Sequence, residues 1–457
     1  MNKFKDKTLL ILGSNVGTID IINYAKKNGA KTVVTDYYDP KDSPGKLVSD
    51  YHEKISTDDI NGLLDLCEKY KVDGIISGIS EFNLLQAKKV CNLLKKPIYF
   101  SDQQWNLISH KDSFRKLCEE FNVSCPKTYF LGPISNFISL KNIEYPIVIK
   151  PVDGSMSQGV TICSCEDKLQ EALQEADKFS ESKRIIIEEF FEGDEFTAHY
   201  SIVNGKVNLA CMDNRYPVSV NKGSVTTIPI ARVFPSTFLS KYLEKENENV
   251  INMIESINLK NGILFLQGLY NKEKDKFCIF EAGLRCAGEA PYRFIEKVNG
   301  LNFLNPIVDL SLGLNTNNYD FSNEDPFLNG KYCGVISFVT KGGIVSEIKG
   351  LEESVAKVDS VIEYECRYKE GENTPSGNTL RQLMIRFVMI CDSIDQMKSD
   401  INYLNSNINV YNDKGKSMVL KFDEERLSKE FIVWVITCQK WVLLYQYSMQ
   451  NHILVNA

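Results

Sequence analysis

Apolar residues fall in short blocks along the first hundred positions, and polar residues separate them at helical spacing. TLLILG at 8–13 is an unbroken apolar run that predicts a buried strand ending on Gly13. Segment 18–28 puts Ile19, Ile22 and Ala25 on one side of a helix, with Ile21 flanking, before a stop at Gly29. KTVVTD at 31–36 and VDGIIS at 72–77 read as further strands, and helices are expected near 58–70 and over 81–94, the last leading to KPIYF. Strands alternating with helices predict a parallel βαβ unit with right-handed crossovers. Its first turn, GSNVG, has only Gly13 and Gly17 and does not complete a dinucleotide fingerprint; Asp36 serves as well for a cap as for a ribose contact. Glu81 follows a strand's carboxyl end, where open α/β sheets bind ligands, which makes it a candidate substrate contact.

Beyond residue 105 the texture changes. A helix is expected over 111–121, then YPIVIKPVDGSMSQGVTIC at 145–163 reads as two strands joined by a Gly- and Ser-rich turn. Backbone N–H groups of such a turn can surround a phosphate chain, and Lys150 adds a positive charge on the adjoining strand. RIIIEEFFEGDEFTAHYSIV at 184–203 is strand, short linker, strand. Its Glu188, Glu189, Phe190 and Phe191 offer apolar faces with backbone donors and acceptors, which suits a purine, and Glu195 is placed for ribose hydroxyls. Strands at 262–270 and 276–282 form a hairpin on which Gln267 and Glu281 can converge; such hard oxygens suit Mg²⁺. Arg285, just past the second strand, can grip a carboxylate or acyl phosphate with a planar fork.

Composition narrows the chemistry. With 53 Lys+Arg against 60 Asp+Glu the net charge is −7, so nucleic acid is not an expected partner. Four histidines leave little for a histidine relay, and ten arginines make each motif arginine informative. The 13 cysteines show no paired spacing and no signal peptide precedes them, so reduced thiols and a cytoplasmic protein are expected.

The order of these features (an early Lys, a strand Lys with a Gly loop, EEFF-linker-Glu, then strand Gln, strand Glu and Arg) resembles the ATP-grasp superfamily over nearly the whole chain. The branch is that of carboxylate–amine ligases, biotin carboxylase and carbamoyl-phosphate synthetase. HKDSFRKLC, PIVIKPVDGSMSQGV, IIIEEFFEGDEF and FCIFEAGLR carry the resemblance. It implies that Lys111 and Lys150 contact nucleotide phosphates and adenine, and that loop 153–159, with Gly154, Ser155, Ser157 and Gly159, closes on the triphosphate. Glu188, Glu189, Phe190 and Phe191 would form the adenine hinge, Glu195 would bind ribose, and Gln267 and Glu281 would carry Mg²⁺ or Mn²⁺. Arg285 would steady the reacting acyl group, with Lys150 beside the transferred phosphate. One departure is plain: the family usually has Asn two residues after the Glu, and here that position is Gly283.

The implied fold class is α/β and α+β. Residues 1–105 form a Rossmann-like N-terminal unit, 106–320 an ATP-grasp domain of two α+β subdomains and 321–430 a C-terminal α+β domain; 431–457 is an atypical apolar tail. In the C-terminal part GVISFVTKGGIVSEIKG reads as a hairpin turning at Gly342-Gly343, and a helix is expected near 393–405. The tail, interrupted by Gln439-Lys440, is too short a run for a membrane span. The implied function is ATP-dependent joining of a small-molecule carboxylate to an amine through an acyl phosphate, releasing ADP and phosphate. A bicarbonate-using carboxylase or carbamoyl-phosphate-type enzyme is the alternative within enzymes, and a nucleotide-binding regulatory protein the alternative outside them. Homodimer contact is left open, and Arg215 and Arg232 are the rare cations in a segment free to hold a substrate carboxylate.

Overall fold

The computed structural model describes residues 2–139, 143–154, 158–220 and 227–427. Ser155, Ser157 and the apolar tail therefore lie outside the described residues.

Four strands open the chain: β1 (Thr8–Leu12), β2 (Lys31–Thr35), β3 (Tyr51–Glu53) and β4 (Gly74–Ser77). They form a parallel sheet in the order β3-β2-β1-β4. All five residues of β1 are buried, as a strand covered on both faces requires. The first helix, Thr18–Lys27, buries Thr18, Ile21, Ile22 and Ala25; Ile19, expected inside, faces out. The chain leaves β1 in one direction across the sheet and returns to β4 on the other side, so the crevice between their carboxyl ends is a topological switch point. Helix Glu81–Leu94 begins there, capped by Ser80, whose Oγ accepts from Asn83 N at 3.2 Å. Asn83 in turn donates to Leu12 O at 3.2 Å, which closes the turn after β1 with a side chain. Asp36 is buried against Lys46 Nζ (2.8 Å) and Ser43 Oγ (2.7 Å), a structural ion pair within the N-terminal unit. KPIYF forms no strand.

A second sheet, ordered β5-β8-β6-β7, comprises β5 (Thr128–Pro133), β6 (Ile147–Pro151), β7 (Thr161–Cys163) and β8 (Arg184–Glu189). β6 and β7 pair antiparallel around the Gly-rich turn, as expected. Gly159 in that turn has φ +70°, and a Cβ there would lie 2.9 Å from Phe179 Cβ, so both backbone and space call for glycine.

The largest sheet holds β9 (Asp194–Val203), β10 (Lys206–Val218), β11 (Ile228–Phe234), β12 (Asn261–Asn271), β13 (Lys276–Gly283) and β14 (Tyr332–Thr340). β15 (Gly343–Lys349), β16 (Val361–Cys366), β17 (Asn373–Thr374), β18 (Leu383–Cys391), β19 (Asn409–Asn412) and β20 (Val419–Leu420) follow. The order is β13-β12-β9-β10-β11-β14-β18-β16, with β20 on β14, so C-terminal strands continue the central sheet beyond residue 320. The hairpin read at GVISFVTKGGIVSEIKG does not form. Gly342 and Gly343 both take positive φ and turn the chain away, and β15 pairs with β17 and β19 in a separate sheet. The C-terminal helix runs Ile394–Asn407, close to its expected position.

β9 explains why the central sheet can carry a site. Phe196, Ala198, Tyr200 and Ile202 are buried in one apolar cluster, while Thr197, His199 and Ser201 alternate with them and are buried on the opposite face. The first set packs against helices Leu239–Lys245 and Asn247–Ser256; the second needs polar partners to be buried at all.

Candidate functional site

The cleft is built from both sheets. On the small sheet, Glu188 of β8 is almost wholly buried and bridges two cations. Lys150 Nζ of β6 lies 2.5 Å from one oxygen and Arg115 Nε lies 2.5 Å from the other. Arg115 Nη2 also donates to Phe280 O at 2.8 Å, tying the cluster to β13. Burial raises the Glu188 carboxyl, but the Lys150 ammonium and Arg115 guanidinium outweigh it, so Glu188 is held below the usual carboxylate range. Lys150 is pushed below the ordinary lysine range by burial and by Arg115, against the pull of Glu188. Lys111, first residue of helix Lys111–Glu120, donates to Gly154 O at 2.8 Å and Val152 O at 3.4 Å, so it holds the start of the Gly-rich loop. Burial, and next the nearby Lys150, lower its pKa. Arg115 lies one helical turn after Lys111, on the same face. That i, i+4 spacing was the available signal for a residue not singled out in the sequence. Its Nη1 is buried and has no hydrogen-bond partner among the described residues.

The linker between β8 and β9 carries Phe190, exposed, and Phe191, half-buried. Glu189 anchors the linker's start: its N donates to Lys127 O at 2.9 Å and its Oε1 accepts from Lys127 N at 3.0 Å. Glu195 at the start of β9 forms an ion pair with Arg215 of β10.

On the central sheet, cross-strand register aligns the polar face. Glu281 pairs with Gln267, Gln267 with Thr197 and Thr197 with Asp213, a row across four strands. Directly paired residues share a face, so these side chains project to one side. Gln267 is half-buried and Glu281 exposed, and neither side chain has a hydrogen bond or ion pair with any described residue. Their oxygens are available, and their type and adjacency fit Mg²⁺ or Mn²⁺. On the same side of the sheet, Arg232 of β11 donates to Asp213 Oδ2 (2.6 Å) and Thr197 Oγ1 (2.7 Å). Glu289 Oε1 lies 3.2 Å from Arg232 and 3.1 Å from His199 Nε2. His199, Asp213 and Glu289 bring three ligand atoms within 4.8 Å of one another, but the Arg232 guanidinium already supplies their positive charge. Burial raises the Glu289 carboxyl, and Arg232 and His199 outweigh it, leaving the group below its ordinary range. Arg215 stands opposite Arg232 in register; burial and then that second guanidinium push it down to about 9.

Arg285 follows the end of β13. Its Nη1 donates to Cys286 O at 3.2 Å, its Nε lies 3.6 Å from Glu81 Oε2, and its guanidinium covers the Phe265 ring, with Cζ 5.0 Å from the centroid. Glu81 therefore reaches the cleft from the N-terminal unit. Tyr99 Oη donates to Leu284 O at 2.8 Å, which fixes the strand end beside it. The structure thus gathers Lys111, Lys150, Gly154 and Glu188 at one end and the Gln267–Glu281 pair at the central sheet. Electrostatic influence of Glu281 on Lys111 and Lys150 links the two groups. Arg115, Asp213, Glu289 and Phe265 were not singled out as site residues. The alternation in β9 was the signal that a polar layer must be answered on β10 and β11.

Residues 143–291 match the family model of the ATP-grasp domain. Among solved structures, an L-amino acid ligase from Bacillus licheniformis superposes with TM-score 0.71 at 17% identity, over 89% of this chain and 99% of that one. A phosphoribosylglycinamide synthetase from Anaerococcus prevotii gives TM-score 0.70 at 18% identity, over 89% and 99%. The chain has the ATP-grasp fold. By sequence, it is similar to the carbamoyl phosphate synthase large chain of Clostridium beijerinckii, 24% identical over 330 residues, 67% of this chain but 29% of that protein. The chain thus spans under a third of the length of that curated relative.

Proposed function

We propose that the protein is an ATP-dependent carbon–nitrogen ligase that activates a small carboxylate as an acyl phosphate and passes it to an amine, releasing ADP and phosphate. The observation that carries this reading is the placement of Arg285. It lies past the end of the strand that presents Glu281, which faces Gln267 across the hairpin, while Lys111 and Lys150 feel the Glu281 charge from the loop side. A carboxylate accepting the γ-phosphoryl group gathers negative charge, and a planar guanidinium meets such charge with two parallel hydrogen bonds.

In this reading Lys150 and Lys111 neutralise the triphosphate beside Gly154, the described start of the Gly-rich loop. Phe190 and Phe191 face the base, and Glu195 the ribose. Gln267 and Glu281 would hold the divalent ion, which supplies charge neutralisation of the phosphates when bound. Glu81 receives the amine side of the reaction, since its carboxylate stands beside Arg285. Positioning and electrostatics dominate, which accords with four histidines in the chain. A cytoplasmic setting and a homodimer accompany the proposal. No helix among the described residues is long and apolar enough to cross a membrane.

ADP release, measured with a panel of carboxylates and amines together with bicarbonate, tests the reading. Amide formed in step with ADP supports it. Bicarbonate-dependent release without amine moves it to a carboxylase or carbamoyl-phosphate reaction. ATP binding with no release under any pairing leaves a regulatory nucleotide binder.

A further inference from the structure

We infer that the phosphate end of the cleft takes one protein-ligated divalent ion, and that Phe265, with Arg285 stacked on it, occupies the ground where ligands for a second would stand. This rests on the nucleotide reading above and narrows it.

Three observations converge. Gln267 and Glu281 pair directly in the β12–β13 hairpin, and both have free oxygens. The next position on the same face of β13 is Gly283, and its partner across the hairpin is Phe265. A Cβ built on Gly283 would lie 2.3 Å from both Cε1 and Cζ of the Phe265 ring. No side chain therefore fits at 283 while the ring is in place. Phe265 is buried, and on its other side in register stands His199, which lies against Glu289. The ring thus fills the row next to Gln267–Glu281, and neither residue of the 265/283 pair can offer a side-chain oxygen.

Charge points the same way. A divalent ion needs about six oxygens. Beyond Glu281 the face presents a phenyl ring and a guanidinium 5.0 Å from its centre. That contact is a cation–π pair, and among the described residues the fork of Arg285 has the Glu81 carboxylate and the Cys286 carbonyl as further polar partners. Arg285 then puts a fixed positive charge next to the Gln267–Glu281 pair where a second ion would otherwise stand, and Phe265 is the residue that positions it. The missing side chain at 283 is not a gap but a volume already used.

The experiment counts Mn²⁺ bound per chain in the full-length protein saturated with a non-hydrolysable ATP analogue, using electron paramagnetic resonance to read free Mn²⁺. Saturation is established separately by the melting shift the analogue produces. One Mn²⁺ per chain is expected; two overturns the inference. Two variants then open the space, Phe265→Ala with Gly283→Asn, and Phe265→Asp alone. Each is expected to raise the count to two, and a variant that keeps the analogue's melting shift but stays at one overturns the role of the ring. The wild-type count decides even where neither variant folds. Absence of any analogue shift in the wild type is a separate result: it overturns the nucleotide reading and this inference with it.

Discussion

Glu188 and Glu281 are two carboxylates of one cleft, held in opposite ways. Glu188 is buried, and each of its oxygens lies 2.5 Å from a cation. Glu281 is exposed, and its carboxylate has no hydrogen bond or ion pair with any described residue. The first region is complete before any ligand arrives, because a buried charge without a partner costs several kcal/mol. The second can wait, because water satisfies it until a harder cation replaces the water. A paired carboxylate next to lysines stabilises the protein and sets the positions of Lys150 and Arg115. An unpaired one beside a glutamine is left for a ligand. The contrast teaches that charge in a cleft is not in itself a sign of binding; unspent coordination is.

The largest expected effect breaks the closed region. Glu188→Gln leaves Lys150 and Arg115 buried without their shared counter-charge and should cost about 3–5 kcal/mol of unfolding free energy, read by urea titration at pH 7. The sign of the pH dependence follows from the depressed Glu188 pKa. Its stabilisation is present above the unfolded carboxyl value of about 4.3 and is lost as pH falls through the folded value, so wild type and variant should converge in acid. A gap that persists unchanged at low pH counts against the ion trio as its source.

Next comes Arg285, where the open region meets the reacting group. Arg285→Ala should lower substrate-dependent ADP release on the order of a hundredfold, about 3 kcal/mol, with ATP affinity within a few-fold of wild type. Arg285→Lys should rescue poorly, since an ammonium cannot reproduce the fork. An equal loss of ATP affinity would make Arg285 a nucleotide anchor.

Lys150 belongs to both regions. Mg·ATP at a hundred times its dissociation constant should stabilise the wild type by about 2.7 kcal/mol in a thermal melt. Lys150→Ala should lose most of that gain. An unmoved wild-type transition would remove the nucleotide from this cleft.

The smallest effect sharpens the comparison most. Glu281→Gln should leave the ligand-free protein within about 0.5 kcal/mol of wild type, as expected for an exposed side chain without partners. The same variant should weaken the Mg²⁺ dependence of the nucleotide-induced shift. A large loss of ligand-free stability would show that Glu281 is structural after all, and the contrast with Glu188 would collapse.

Local pattern determined a great deal here. Short apolar runs bounded by turn residues placed β6, β7, β8, β9, β12 and β13 within a residue or two, and apolar blocks placed the parallel N-terminal sheet. Side-chain type alone left Lys150, Glu188, Gln267, Glu281 and Arg285 as ordinary strand and loop residues; it was their order along the chain, and the resemblance that order carries, that made them candidates. Pairing between distant segments was not local information. Which strand β14 would join depended on long-range register, so the hairpin expected at Gly342-Gly343 gave way to pairing with β11 and β18. The partners of Glu188 come from residues 115 and 150, and those of Arg232 from 197, 213 and 289, separations over which a linear pattern carries no distance. Gly283 shows the division most clearly. The sequence by itself established that a side chain is absent there; only the tertiary structure decided that the Phe265 ring takes its place, since space is a property of neighbours and not of the chain.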